Sequence, residues 1–175
     1  IEGDAGHIDF AQEATRVNGF TPEEVTLLHG IAAAKSGTAL FPTQDTPGTN
    51  WGLEPVFGAT PEQVARETKS GKYQALPMIA LSDIANKHER IDLLHIDIQG
   101  GEADLIEECL TTIQHRVRYV LIGTHSREIE GRLFDAFHAQ NWTLEMERPA
   151  ILNVSGEKPQ VTVDGVQGWY NSRLF

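Results

Sequence analysis

No feature constrains the fold of this chain more than the stretch from Arg90 to Trp142, which reads as strand, helix, strand, helix. "DLLHIDI" is its most β-like run, and the turn "QGG" follows. A helix is expected from Gly101 to about Arg116, with Ile106, Leu110, Ile113 and Val117 on one stripe. "RYVLIGTHS" repeats the strand and turn, and "REIEGRLFDAFHAQNW" answers with Ile129, Leu133 and Phe137 at four-residue steps. Strands alternating with amphipathic helices predict an α/β fold of three layers with a mainly parallel sheet. Because apolar residues fill nearly every position of "DLLHIDI", that strand is expected at the centre of the sheet with both faces covered.

The flanking stretches extend the same plan. A helix is predicted from Gly6 to Val17, with Phe10, Ala14 and Val17 on one face, Asp4 as its cap and "NG" as its stop. "VTLLHGIAAA" and "SGTALFPT" read as strands, and "LPMIALSDIANKHERI" as a strand entering a short helix. Pro42 to Gly58 is a loop rich in Pro, Gly and Thr that carries Asn50 and Trp51, and the capped helix "TPEQVARETKSG" follows it. Residues 42–75 are together expected to form a lid or insertion, since plain connectors are shorter. "TLEMERPAIL" and "GVQGWYNSRLF" predict a C-terminal antiparallel hairpin at the sheet edge. The 175 residues suit a single domain, 1–175. The opening "IEGD" resembles a strand end and its turn, so the chain is expected to be part of a longer protein.

Charge narrows the ligand. Against 14 basic residues stand 25 acidic ones, and the formal charge of −11 repels phosphate backbones and anionic lipid. Neither nucleic acid nor membrane is an expected partner, and a neutral or cationic ligand is favoured. The single cysteine, Cys109, excludes an intramolecular disulfide, and no apolar run of about 18 residues is present. The expected location is the cytoplasm.

In open α/β sheets ligands bind beyond the carboxyl ends of the strands, so four strand ends matter. Glu2 in "IEGD" stands where a carboxylate accepts both hydroxyls of a ribose, although a surface acid near a chain end would look the same. Gly30 and Ile31 in "LLHGIAAA" offer a flat ring access to backbone, or else form a plain turn. In "HIDIQGGE" His95 and Asp97 share one strand face. A carboxylate among apolar residues needs a partner, which marks Asp97 as facing a ligand; His95, deeper in the strand, is expected in the core. Glu102 falls in the first turn of the next helix, where its charge suits the dipole, a structural role. His125 in "LIGTHS" titrates near neutrality and suits a base, or it is an exposed loop imidazole. Ser126 is the expected cap of the next helix.

Taken in order, "IEGD", "LSDIA", "HIDIQGGE" and "LIGTHS" resemble the FkbM family of S-adenosylmethionine-dependent methyltransferases, whose pattern includes K-x-D-x-E-G-x-E and a later i-x-x-H. The likeness runs from Ile1 to about Glu145. It implies a Rossmann-like fold, here without the first strand and its glycine-rich loop, and S-adenosylmethionine as cofactor. By this resemblance Glu2 is the ribose acid, Asp97 the acid at the methyl-transfer end of its strand, and His125 the histidine beside the acceptor. His95 and Gln99 stand where the family has Lys and Glu, which leaves a poor divalent-cation site, and no metal is expected.

The implied reaction is O-methylation of a small-molecule or saccharide acceptor. His125 would be the base, and Asp97 would orient cofactor or acceptor. The loop with Asn50 and Trp51 would cover the acceptor. Two alternatives belong to other classes. A degenerate methyltransferase-like binding domain fits His95 and Gln99, and a nicotinamide-dependent oxidoreductase would need a G-x-G-x-x-G turn, which the sequence does not contain.

Overall fold

The computed structural model describes residues 1–156 and 158–174. The chain forms two compact units, Ile1–Ala80 and Leu81–Phe175.

In the first unit helix α1 spans Ala5–Val17, and Asp4 caps it by accepting from the N–H groups of Gly6 and His7. Asn18 ends the helix and Gly19 takes φ 78°, so "NG" stops it as read. The apolar stripe is not what packs: Phe10 is 72% and Val17 62% exposed, and Ile8 is buried instead. Strand β1 (Ile31–Ala33) pairs parallel with β3 (Tyr73–Ala80), which pairs antiparallel with β2 (Gly37–Pro42). Their core gathers Ile31, Ala39, Phe41 and Leu76. Glu2 forms an isolated parallel bridge with His29, so "IEGD" does add an extended segment beside the chain that leads into β1.

Helix α2 (Pro61–Lys69) lies between β2 and β3 in sequence and starts with a capping box, Thr60 and Gln63 satisfying each other's backbone N–H groups. The loop before it is tied to the start of α1. Gln44 Nε2 donates to Asp4 Oδ2 at 2.7 Å, and the rings of Trp51 and His7 stack at 3.9 Å. A Cβ on Gly6 would stand 2.5 Å from the Pro47 backbone, so only glycine fits there.

The second unit opens with α3 (Leu81–Ala85) and continues β4 (Ile91–Ile96), α4 (Glu102–Arg116), β5 (Val117–Thr124) and α5 (Arg127–Ala139). These are the strand and helix alternations read from the sequence. Helix α4 buries Ala103, Leu105, Ile106, Cys109 and Ile113. Helix α5 buries Ile129, Leu133 and Phe137, and Ser126 caps it. The chain then runs through β6 (Thr143–Arg148), a small antiparallel pair β7 (Ile151–Asn153) and β8 (Gln160–Val163), and β9 (Gly165–Tyr170).

Three expectations need correction. The sheets are mixed, not mainly parallel: in the order β4-β5-β9-β6 only β4 and β5 run parallel, because the chain returns through β7 and β8 and inserts β9 antiparallel. The terminal strands do pair antiparallel, yet β9 lies inside the sheet and only β6 takes its edge. Strand β4 ends the strand order instead of occupying its centre, Leu93 is 57% exposed, and His95 is exposed instead of buried. The apolar run thus overstates the cover: the face of β4 that carries Leu93 and His95 is open.

Among the described residues no helix is long and apolar enough to cross a membrane. The core of the second unit is aromatic, with Phe137 5.2 Å from Trp169 and 5.0 Å from Trp142 between ring centroids. Replacing Phe137 by Ala should cost about 3–5 kcal/mol, read from urea denaturation, and should weaken the near-ultraviolet dichroism of the two tryptophans. Met146→Ala, at an exposed position, should change stability by less than about 0.5 kcal/mol.

Candidate active site

The second unit brings its chemistry together where β4, β5 and the turn before β9 end. After β4 the backbone turns sharply, with φ 59° at Gln99 and 108° at Gly100. A left-handed non-glycine residue is uncommon, and its effect here is to aim amides inward. The N–H groups of Ile98 and Gly100 both donate to the Glu102 carboxylate at 3.1 Å. Gly101 precedes α4 without any side-chain cap, so the acid of the first turn reaches back to hold the chain that leads into its own helix.

Glu102 is fully buried, and its Oε1 lies 2.8 Å from His125 Nδ1. On the other side of the ring, His125 Nε2 lies 3.3 Å from Asp97 Oδ1. The imidazole is therefore clasped between two carboxylates of different character. The Asp97 side chain is 50% exposed, whereas that of Glu102 is shut off from solvent. Gly123 in β5 makes room for Asp97, since a Cβ there would stand 3.1 Å from its Cγ.

Burial pushes the Glu102 carboxyl up, but the hydrogen bonds from His125 and Gly100 outweigh it and leave the group below its ordinary value. The hydrogen bond to Glu102 raises His125; partial burial opposes this, and the charges of Glu102, Asp164 and Asp97 reinforce it.

Of the residues expected at the site, the structure brings Asp97 and His125 together. Glu2, Gly30 and Ile31 belong to the first unit. Glu2 Oε1 accepts from the Asp4 N–H at 2.7 Å, and its side chain is 40% exposed. Gly30 is buried and lies against β3, where a Cβ would come within 2.7 Å of Pro77 O and Ile79 Cδ1. The side chain of Ile31 is in the core. Asn50 accepts from the Gly52 N–H at 3.0 Å.

Two residues at the site were not singled out from sequence: Glu102, read as a partner of the helix dipole, and Gly123. An acid opening a helix that has no capping side chain, just after a double-glycine turn, was the available signal for Glu102. One oxygen each from Asp97 and Glu102 and one nitrogen of His125 lie within 4.8 Å of one another. Glu102, however, already accepts two backbone N–H groups and the imidazole, which leaves it few lone pairs for a cation.

Residues 16–147 match the family model described as the methyltransferase FkbM domain. A protein of Jannaschia sp. (strain CCS1) named "Putative methyltransferase" is 43% identical over 167 residues, which are 95% of this chain and 59% of that protein. The chain thus spans about three fifths of the length of the curated relative it matches. No solved structure matches.

The two shifts set a pH window for stability. Glu102 lies below its ordinary 4.5, so its contribution is present above that value and is lost as pH falls through the folded-state pKa. His125 lies above its ordinary 6.5, so its contribution is present below 6.5 and is lost as pH rises through its folded-state pKa. The stability difference between the wild type and His125→Phe, from urea denaturation across pH 4–9, should be greatest between about 4.5 and 6.5 and should shrink on both sides.

Proposed function

Since the chain belongs to the methyltransferase FkbM family, we propose that it serves a methyl transfer from S-adenosylmethionine to a hydroxyl of a saccharide or other small molecule, with His125 as the base. The pairing of His125 with a half-exposed Asp97 at a strand end carries this reading. A base must be held by the protein yet reachable by its substrate, and this imidazole meets both needs.

The residues present suit the cofactor in two respects. Asp97 is a half-exposed carboxylate at a strand end, which favours a sulfonium cation. Glu2 has a part-exposed carboxylate with Oε1 already oriented by a backbone N–H, a good preparation for accepting from a ribose hydroxyl. Gly30 and Ile31 are assigned to the nucleoside by backbone alone, since β3 occupies the space beside Gly30 and the side chain of Ile31 is in the core. When bound, S-adenosylmethionine supplies an electrophilic methyl group.

The chain's own work is alignment and proton transfer. His125 Nε2 takes the proton of the acceptor hydroxyl, and the resulting imidazolium is stabilised by Asp97 at 3.3 Å. Because the imidazole holds its proton more tightly than usual, the unprotonated base is reached only above pH 6.5.

Calorimetry of the full-length protein with S-adenosylmethionine tests the first part: binding is expected there, and no heat with ligand at about 1 mM, a weak-binding limit, would sink the reading in favour of a binding domain. The base is tested by release of S-adenosylhomocysteine in the presence of saccharide and small hydroxyl acceptors. His125→Ala should slow it by about 10²–10⁴-fold, and full turnover in that variant would remove His125 as the base.

A further inference from the structure

We propose that Glu102 is a positioning residue: its buried carboxylate fixes His125 as the Nδ1–H tautomer and thereby leaves the lone pair on Nε2, the nitrogen beside Asp97. The proposal rests on the reading of His125 as the base and adds what makes it one.

A neutral imidazole has a single N–H and one accepting nitrogen, and its neighbours decide which is which. Glu102 is 0% exposed, and the N–H groups of Ile98 and Gly100 hold both of its oxygens in place. Those bonds and the one to His125 outweigh the burial that opposes them and keep it ionised through the neutral range. An ionised carboxylate only accepts, so the 2.8 Å contact requires Nδ1 to donate. With the one proton spent there, Nε2 of the neutral ring is an acceptor facing another acceptor, Asp97 Oδ1, at 3.3 Å. A protonated ring donates to Asp97 from that nitrogen; a neutral ring offers its lone pair there to a donor hydroxyl.

The groups facing the ring come from three elements: Glu102 from α4, Asp97 from the end of β4 and Asp164 from the turn before β9. All are acidic. Only Glu102 reaches Nδ1, so the tautomer depends on it alone among the three.

A purely structural Glu102 would fasten the turn and nothing more. Two variants separate the two roles. Oε1 faces the N–H groups of Ile98 and Gly100 and the ring's Nδ1 alike, whereas Oε2 accepts from Gly100 alone. In Glu102→Gln an amide oxygen in the place of Oε1 keeps all three bonds, so the turn and the Nδ1–H tautomer are kept and only the charge is lost. The reverse orientation of the amide would set its NH₂ against two backbone N–H groups and lose the bonds that hold the turn. Glu102→Leu removes the acceptor and with it the hold on Nδ1.

The test is ¹⁵N nuclear magnetic resonance of the histidine ring nitrogens across pH. The wild type should show a protonated Nδ1 and an unprotonated Nε2 above the His125 midpoint. In Glu102→Gln the Nδ1–H form and the Ile98 and Gly100 amide signals should persist while the midpoint falls by about one pH unit or more. In Glu102→Leu the preference for Nδ1–H should be lost. An unchanged tautomer in Glu102→Leu overturns the proposal, as does an Nε2–H ring in the wild type, a measurement that stands even if a variant fails to fold. Because these readouts need no acceptor, they are independent of turnover. If the tautomer responds and His125→Ala remains fully active, the base assignment falls and the positioning of the ring stands.

Discussion

The second unit is organised around one buried carboxylate. Glu102 satisfies the amides of the turn that delivers it, opens α4 where no capping side chain does, and grips the imidazole that follows β5. A charge removed from water is tolerable only when hydrogen bonds surround it, and here the groups that surround it are the parts of the site that must be held in register. Burial makes the arrangement stiff as well as stable. A Glu102 exposed to solvent would exchange partners freely, and the ring would turn with it.

A second buried carboxylate holds the other end of the same region. Glu130 Oε1 accepts from the Ala150 N–H at 2.6 Å and the Thr124 hydroxyl at 3.1 Å, and the Glu130 carbonyl accepts from Gln167. Gly165 permits this approach, since any Cβ there would collide with both Glu130 and Thr124. Helix α5 is thus fixed to the end of β5, to the chain after β6 and to β9. His125 lies in the chain between Thr124, which Glu130 holds, and Ser126, which caps α5. Backbone fixed on both sides and a side chain clasped in the middle are what precise placement of a base requires.

Much of the local structure was legible in the sequence because it depends on local physics. Helices α4 and α5 follow from apolar spacing, and Asp4, Thr60 and Ser126 cap where short oxygen-bearing side chains precede a helix. What failed depends on long-range neighbours. Phe10, Ala14 and Val17 mark a helix but not what covers it, and two of the three are well exposed. The direction of β9 follows from a return through β7 and β8 that leaves no periodic trace. The placement of His95 in the core assumed two covered faces on β4, and the end of a sheet does not provide them. Asp97 and His125 were legible as strand-end residues. Glu102 was not, because its role comes from a fold-back over four residues that a dipole argument explains equally well.

The turn after β4 has one more consequence. A glycine-containing turn that aims amides at the start of a helix is the kind of backbone that captures phosphate in other proteins. Here the capturing amides are already occupied by a carboxylate from the chain itself. Backbone amides that could take up an anion from solution are thus spent inside the fold, on an acid supplied four residues along the same chain.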